Sequence, residues 1–235
     1  MLLTTATAWA QDVTYLDESG TEQTCSTYTT MTDGSTSLMA GWYVVNDDVT
    51  IADRISVSGT VNLILTNNKT LTASKGITVG SEATLNVYAQ TNDEATMGAL
   101  VASGANNNVQ YNAGIGGVDN TAAGTITING GKINATGMIG AGIGSGGNYG
   151  ATVGTITING GIVTAQDGSG YGAGIGGGAF NGKASTINLN GGIINAAGIG
   201  SGWLGGNCSI TVNISDGVKK IVATPVRGGA CIGSG

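Results

Sequence analysis

The octapeptide GTITINGG occurs twice in this chain, at residues 124–131 and again at residues 154–161. Its isoleucines alternate with threonines, and this period of two is typical of a β-strand with one buried face. The Asn-Gly-Gly that follows is typical of a turn, because asparagine and glycine adopt positive φ angles at low cost. The phrase therefore predicts a strand that buries Ile126 and Ile128, exposes its threonines and ends at a corner.

The C-terminal half of the chain repeats two short phrases at steps of 23 to 33 residues. Variants of Ile-Thr-Ile-Asn start at Ile126, Ile156, Ile187 and Ile210. Variants of Ala-Gly-Ile-Gly start at Ala113, Ala141, Ala173, Ala197 and Ala230. Such self-similarity at a short period is the signature of a repeat architecture.

The N-terminal half repeats in a simpler way, since a shift of 22 residues aligns it with itself. That shift places Ile55, Val57, Val61, Leu63 and Leu65 on Ile77, Val79, Ala83, Leu85 and Val87. It also places Asp47 on Lys69 and Asp53 on Lys75, which predicts ion pairs between neighbouring repeats.

A repeat of about 22 to 24 residues fits three strands of about five residues joined by short corners. Longer repeats then carry extra loops at a corner. We therefore predict an all-β chain, in which residues 42–235 form a right-handed parallel β-helix, or β-solenoid. Residues 11–41 alternate around Ser19-Gly20 and predict an N-terminal β-hairpin cap.

The chain stops within a recurring phrase, at Ala-Cys-Ile-Gly-Ser-Gly. We therefore expect the β-helix to continue in a longer protein. An uncapped final turn exposes unpaired backbone groups, which favours end-to-end self-association of the isolated chain.

The composition excludes several classes of function. Only 9% of the residues are charged, the formal net charge is −6, and there is no histidine. Nucleic-acid binding requires a basic surface, which this chain lacks. No apolar run is long enough for a transmembrane helix.

Residues 1–10 resemble the end of a secretory signal peptide, because Ala8-Trp9-Ala10 fits the small-x-small cleavage pattern. The alternative is a disordered or strand-like N-terminus. The three cysteines, Cys25, Cys208 and Cys231, match no zinc spacing. Cys208 and Cys231 could pair in an oxidising compartment, although buried free thiols are the preferred interpretation.

The run GWYVVNDDVTIADRISVSGTVNLIL, the run TLTASKGITVGSEATLNVYAQ and the later AGIG and TITINGG repeats resemble one group of proteins. These are secreted glycine-rich repeat proteins of gut and oral bacteria, placed in the pectin-lyase-like β-helix superfamily. The resemblance covers nearly the whole chain and implies a bacterial protein that is secreted or held at the cell surface. Members are described as carbohydrate-binding or surface proteins.

We expect no enzymatic activity, no catalytic residues, no metal and no cofactor. Polysaccharide lyases and hydrolases of this superfamily need clustered carboxylates, and Asp167 and Asp216 occupy different phases of the repeat. The segment 142–147 (GIGSGG) formally matches a dinucleotide-binding pattern, but it recurs as a repeat unit and no helix follows it.

Aromatic side chains are few, yet several recur near the AGIG phrases. If the longer loops emerge at a single corner, these rings form a row that could contact polysaccharides or host glycans, with Asn148, Asn181 and Asn207 as polar neighbours. The alternative is that the rings fold back and anchor the loops. The candidate glycan-binding residues are Tyr111, Tyr149, Tyr171, Phe180 and Trp203.

Two further columns of polar residues are predicted on the repeats. Asn129, Asn159, Asn190 and Asn213 follow successive strands and predict a structural ladder of side-chain amides. The Thr-x-Thr pairs at Thr125/Thr127 and Thr155/Thr157 predict a small hydroxyl grid, which is the basis of an ice-binding alternative. The favoured function is a structural or adhesive display module, and the other alternative is a dedicated carbohydrate-binding protein.

Overall fold

The computed structural model describes residues 11–104, 111–148, 151–180, 183–204, 210–225, 227 and 231–233. In these residues the chain is all-β, and it forms a right-handed parallel β-helix, as the sequence predicts. Three long parallel sheets run along the solenoid, and each turn of the chain, or rung, contributes strands to them. Among the described residues there is no helix with the length and hydropathy that crossing a membrane requires.

The first sheet, here called the Thr sheet, contains the TITI strands. Its inward side chains are large aliphatic residues, and the neighbouring rungs align Ile126 with Ile156 and Ile156 with Ile187. Its outward side chains are mainly threonine and asparagine. Its eight strands are Thr29–Thr30, Gly41–Val45, Thr60–Leu65, Thr84–Ala89, Thr125–Ile128, Thr152–Ile158, Lys183–Leu189 and Thr211–Ile214.

The second sheet, here called the Ala sheet, follows the Asn-Gly-Gly corner. Its inward positions alternate between large aliphatic residues and a column of alanines, such as Ala102, Ala135 and Ala165. The small side chains leave room for the large residues that the other sheets direct inward. Its seven strands are Val49–Ile51, Thr70–Ala73, Ala99–Ser103, Lys132–Gly137, Ile162–Asp167, Gly192–Ala197 and Val218–Thr224.

The third sheet, here called the Gly sheet, contains the Ile-Gly pairs of the AGIG phrases. Ile115, Ile143, Ile175 and Ile199 stack directly on one another and are buried, so the spacing of the AGIG phrases predicted this column correctly. Its eight strands are Ser37–Leu38, Ile55–Val57, Ile77–Val79, Ile115–Gly116, Ile143–Gly144, Ile175–Gly176, Ile199–Gly200 and Ile232–Gly233.

The glycine that ends each AGIG phrase is required by the stacking of the rungs. Gly144 has a φ of +146°, and a Cβ atom built on it would overlap the carbonyl oxygen of Gly176 in the next rung. The same overlap would arise at Gly116, Gly176 and Gly200. These positions therefore combine a backbone conformation that favours glycine with a contact that leaves no space for a side chain.

The 22-residue shift is correct for two sheets and wrong for the third. Ile55 lies beside Ile77 in the Gly sheet and Thr50 beside Thr72 in the Ala sheet, each 22 residues on. In the Thr sheet, however, Val61 lies beside Leu85 and not beside Ala83. The intervening turn, where Ala83 N–H bonds the Gly80 carbonyl, lengthens this rung by two residues. Both registers bury apolar residues, so the sequence pattern could not separate them.

The predicted ion pairs between rungs are present. Lys69 Nζ lies 3.3 Å from Asp47 Oδ1, and Lys75 Nζ lies 2.8 Å from Asp53 Oδ1. Both aspartates are largely exposed, so each pair adds little to stability. Their main value is that they confirm the alignment of these rungs.

The segment predicted as the N-terminal cap has two parts. Strands Val13–Leu16 and Glu22–Cys25 form the expected antiparallel hairpin. It packs on the outer face of the Thr sheet, where Tyr15 contacts Trp42 and Tyr88 at ring-centroid distances of 4.8 and 4.9 Å. The residues after the hairpin already belong to the solenoid, because parallel pairing begins at Thr29–Thr30. Met31 and Leu38 of this first partial rung are buried in the core.

The last described rung is far more exposed than the rungs before it. Ile232 is 42% exposed, whereas Ile199, its partner in the preceding rung, is 1% exposed. Ile214 is 52% exposed and its partner Leu189 is fully buried. Apolar side chains that complete the core elsewhere are thus open to solvent at this end.

One buried cation joins three rungs. The Arg54 guanidinium donates to Thr78 Oγ1 at 2.6 Å and to the carbonyl oxygens of Lys75, Ile77 and Ala113 at 2.6 to 3.1 Å. Burial lowers its pKa to about 10. Because Arg54 meets the regular 22-residue rungs on one side and the first AGIG rung on the other, it links the two halves of the solenoid.

The overlap at the AGIG glycines predicts a large effect of a single methyl group. We expect Gly144→Ala to lower the free energy of unfolding by about 3 kcal/mol or more, because backbone strain and steric overlap act together. Gly170→Ala is the matched control, since Gly170 has a φ of +78° but no atom lies within 4 Å of the position that its methyl group would take. It should cost only about 1 kcal/mol. Equal losses in urea denaturation would contradict the stacking argument.

The Arg54 network predicts that charge alone does not replace the guanidinium. We expect Arg54→Lys to lower the free energy of unfolding by about 3 kcal/mol, because one ammonium cannot reach acceptors on three rungs. Lys69→Ala, which removes an exposed ion pair, should cost less than about 1 kcal/mol. An Arg54→Lys protein that unfolds at the wild-type urea concentration would show that the network is unimportant.

Candidate functional site

Four of the five predicted aromatic residues form one continuous cluster at a corner of the solenoid. The ring centroids of Tyr111 and Phe180 are 6.3 Å apart, those of Phe180 and Trp203 are 5.3 Å apart, and those of Trp203 and Tyr171 are 5.3 Å apart. All four side chains are half-buried. The fifth residue, Tyr149, lies outside the described residues.

The cluster is built on a stack of turns that follow the Gly sheet. Asn148 N–H donates to the Ala179 carbonyl at 3.0 Å, and Phe180 N–H donates to the Trp203 carbonyl at 2.9 Å. Successive turns therefore bond one another as the strands do. The segments before the AGIG phrases join the stack, because Trp203 N–H donates to the Tyr171 carbonyl at 2.7 Å.

Equivalent residues of these turns share a left-handed backbone. The φ angles are +53° at Asn120, +79° at Asn148, +57° at Phe180 and +60° at Leu204. Asparagine tolerates this conformation because its short polar side chain bonds locally, whereas phenylalanine and leucine are strained by it. A bulky residue held in this region costs about 1–3 kcal/mol. Two rungs thus carry the residue that suits the turn, and the next two carry residues that do not.

Small residues in the turns make room for the rings. A Cβ atom on Gly147 would approach the Tyr111 ring to 3.0 Å and the Ile139 side chain to 3.2 Å. The Tyr111 ring therefore lies over the bare backbone of the neighbouring turn. This lets rings from non-adjacent rungs, Tyr111 and Phe180, come into contact across the intervening rung.

The loop that carries Tyr171 is held by a buried carboxylate. Asp167 is 8% exposed and accepts hydrogen bonds from the Ser169 hydroxyl and from the N–H groups of Tyr171 and Gly172. Burial raises the pKa of Asp167, and these hydrogen bonds act in the opposite direction. All its identified contacts lie within its own loop, so Asp167 positions Tyr171.

Charged and polar groups lie at the two ends of the cluster. The Arg227 guanidinium lies 5.7 Å from the Tyr171 ring centroid and donates to its hydroxyl at 3.2 Å. At the other end Asn148 Nδ2 donates to Asp119 Oδ1 at 3.0 Å, and Asp119 N–H donates to Asn112 Oδ1, next to Tyr111. The predicted polar neighbours Asn181 and Asn207 lie outside the described residues.

The asparagine ladder is present over three rungs, and its predicted fourth member is wrong. Asn159 Nδ2 donates to Asn129 Oδ1 at 2.8 Å, and Asn190 Nδ2 donates to Asn159 Oδ1 at 2.9 Å. Ser215 continues this ladder, because its hydroxyl donates to Asn190 Oδ1 at 3.2 Å.

Asn213 belongs to a neighbouring column instead. Its Nδ2 donates to Asn188 Oδ1 at 2.8 Å. The cause is the register of the core, which aligns Ile187 with Val212 and not with Ile210.

The threonines of the outer face form one long column and one short one. Thr60, Thr84, Thr125, Thr155, Thr186 and Thr211 occupy the first column. In the second column Thr127 lies beside Thr157, but the next two residues are Asn188 and Asn213. The Thr-x-Thr grid is thus two rungs long, which is a small area for contact with an ice surface.

The described residues contain no group of three or more cysteine, aspartate or glutamate side chains placed to hold a metal ion. Cys25 is a buried free thiol and Cys231 an exposed one, whereas Cys208 lies outside the described residues. The expectation that the protein is not an enzyme stays a prediction.

Sequence reasoning missed two features of this corner. Arg227 carries no repeat signal, because it follows the last Ala-sheet strand and only the fold brings it to Tyr171. The left-handed turns were also missed, although the Asn120 and Asn148 positions gave a usable signal. Both asparagines follow an AGIG phrase by the same number of residues as Phe180.

Comparison with known proteins supports the fold. A family model described as a beta helix repeat matches residues 126–147 and 156–179, which include both copies of the TITINGG phrase. No curated protein and no solved structure matched the chain. The chain is therefore similar to beta helix repeats over those two segments.

Proposed function

We propose that this protein is a non-enzymatic surface module of a bacterium, secreted or held at the cell surface, that adheres through carbohydrate. The β-helix would act as a rigid support, and the aromatic corner formed by Tyr111, Phe180, Trp203 and Tyr171 would contact the glycan. Aromatic rings pack against the apolar faces of sugars, and nearby amide groups can bond the hydroxyls.

The observation that carries this proposal is the strained backbone at Phe180. Asparagine occupies the equivalent position of two neighbouring turns, so the solenoid can be built without an aromatic residue there. A bulky residue in a left-handed conformation persists when its surroundings impose it, and such outliers concentrate at functional sites. A ring that the fold does not require, placed in a half-buried surface cluster, is well explained by contact with a ligand.

The secreted or surface location rests on other grounds. It is supported by the resemblance of residues 1–10 to the end of a signal peptide and by the likeness to secreted repeat proteins. A low charge content and a continuous solenoid core also suit a protein that serves as a structural support.

Binding to a glycan array, with Phe180→Asn as the decisive variant, tests the proposal. We expect the wild-type protein to retain at least one glycan and Phe180→Asn to weaken that binding at least about tenfold, because a ring face is lost. The same substitution should change the free energy of unfolding by no more than about 1 kcal/mol, since relief of strain offsets the lost ring contacts.

Leu204→Asn is the matched control, because Leu204 occupies the same turn position one rung further on and is 53% exposed. It should leave glycan binding unchanged and stabilise the protein by up to about 1 kcal/mol. If no glycan is retained by the wild-type protein, the proposed function is wrong. If Phe180→Asn instead costs the 3–5 kcal/mol typical of a core phenylalanine and leaves binding intact, the rings are loop anchors.

A further inference from the structure

The aromatic corner has a direction, and that direction limits its ligand. Tyr111 precedes the rung of Ile115, Phe180 follows the rung of Ile175, and Trp203 follows the rung of Ile199. The three rings therefore succeed one another along the solenoid axis. Because rungs stack at about 4.8 Å, the row extends over about 14 Å, the distance between the first and last of four rungs.

The steps along this row match the repeat of a polymer. The ring centroids are separated by 6.3 Å and then 5.3 Å, each comparable with the length of one pyranose unit in a glycan chain. The rings are not coplanar, since the interplanar angles are 62° and 74°. Successive sugars of a twisted chain also present their faces in different directions, whereas a single sugar could contact only one or two of these rings.

The charges around the row disfavour an acidic chain. Among the described residues, Arg227 is the basic side chain in contact with the cluster, and its guanidinium already bonds the Tyr171 hydroxyl and lies over that ring. The opposite end carries the Asp119 carboxylate, and the whole chain has a formal net charge of −6. A polyanion would find one engaged cation and an overall repulsive field.

We infer that the aromatic corner binds a neutral, linear oligosaccharide of at least three pyranose units that lies parallel to the solenoid axis. This inference rests on the proposed function, because it specifies the glycan class that the same site takes. Tyr111, Phe180 and Trp203 each contact one unit, and Tyr171 with Arg227 closes the Trp203 end of the row.

The experiment compares chain length and charge in one array. The probes are neutral gluco-, manno-, galacto- and xylo-oligosaccharides and uronic acid oligosaccharides, each from one to six units long. We expect affinity for one neutral series to rise roughly three- to tenfold per unit up to three units and to level off beyond that length. Raising the salt concentration from 50 to 500 mM should leave this affinity within about twofold, since few charges take part.

The Tyr111→Leu variant tests the assignment of units to rings. Leucine keeps an apolar side chain over Gly147 and Ile139 but removes the ring face. Affinity for three units and longer should fall to that of two units, while affinity for two units stays unchanged. Tyr28→Leu, an aromatic substitution at the hairpin, should leave every length unchanged.

The outcomes separate this inference from the proposed function. If no saccharide of any length or charge binds, both are wrong. If a monosaccharide binds as tightly as a trisaccharide, or if the uronic acid series binds best and is released by salt, the proposed function stands and this inference is wrong. The wild-type length series gives that answer even if Tyr111→Leu does not fold.

Discussion

The constraint on which the structure depends is the close contact between stacked backbones in the Gly sheet. At Gly144 a Cβ atom would overlap the carbonyl oxygen of Gly176, and the same relation recurs along the column. A parallel ladder requires each rung to lie directly on the next, so a side chain at this position would push the rungs apart. The AGIG phrase is repeated because every copy must satisfy the same contact.

The same constraint accounts for the unusual composition. Glycine is needed where rungs turn and approach, as at Gly131 and Gly161, whose φ angles are +94° and +84°. Isoleucine, leucine and valine fill the interior, and threonine and asparagine suit the outer strand positions. Few positions remain for charged residues, so the low charge content follows from the architecture and by itself indicates no ligand.

How far the sequence predicts this fold depends on the signal that each sheet carries. The Ile-Gly column was predicted residue by residue, because its glycines are distinctive and mark one register. The Thr sheet was predicted in kind but misaligned at Val61 and at Asn213, both times by two residues. A shift of two keeps every apolar residue facing inward, so hydrophobic alternation leaves it undetermined. The length of the preceding turn decides it, and turn length is weakly encoded.

The candidate site shows the same division between periodic and non-periodic information. The aromatic row could be predicted because Tyr111, Tyr171, Phe180 and Trp203 keep a fixed spacing to the AGIG phrases. Arg227 and the carboxylate of Asp167 could not, since each acts through a contact that the repeat does not specify.

A solenoid converts repetition in sequence into repetition in space, and this gives the aromatic corner its meaning. Asparagine at two successive turns shows what the stack needs at this position, and Phe180 shows a departure from it that costs backbone strain. That departure creates a ring between Tyr111 and Trp203, and without it the row would be interrupted. The strained residue is therefore the one that makes the row continuous. A continuous row along the axis is of use to a ligand that is itself a chain.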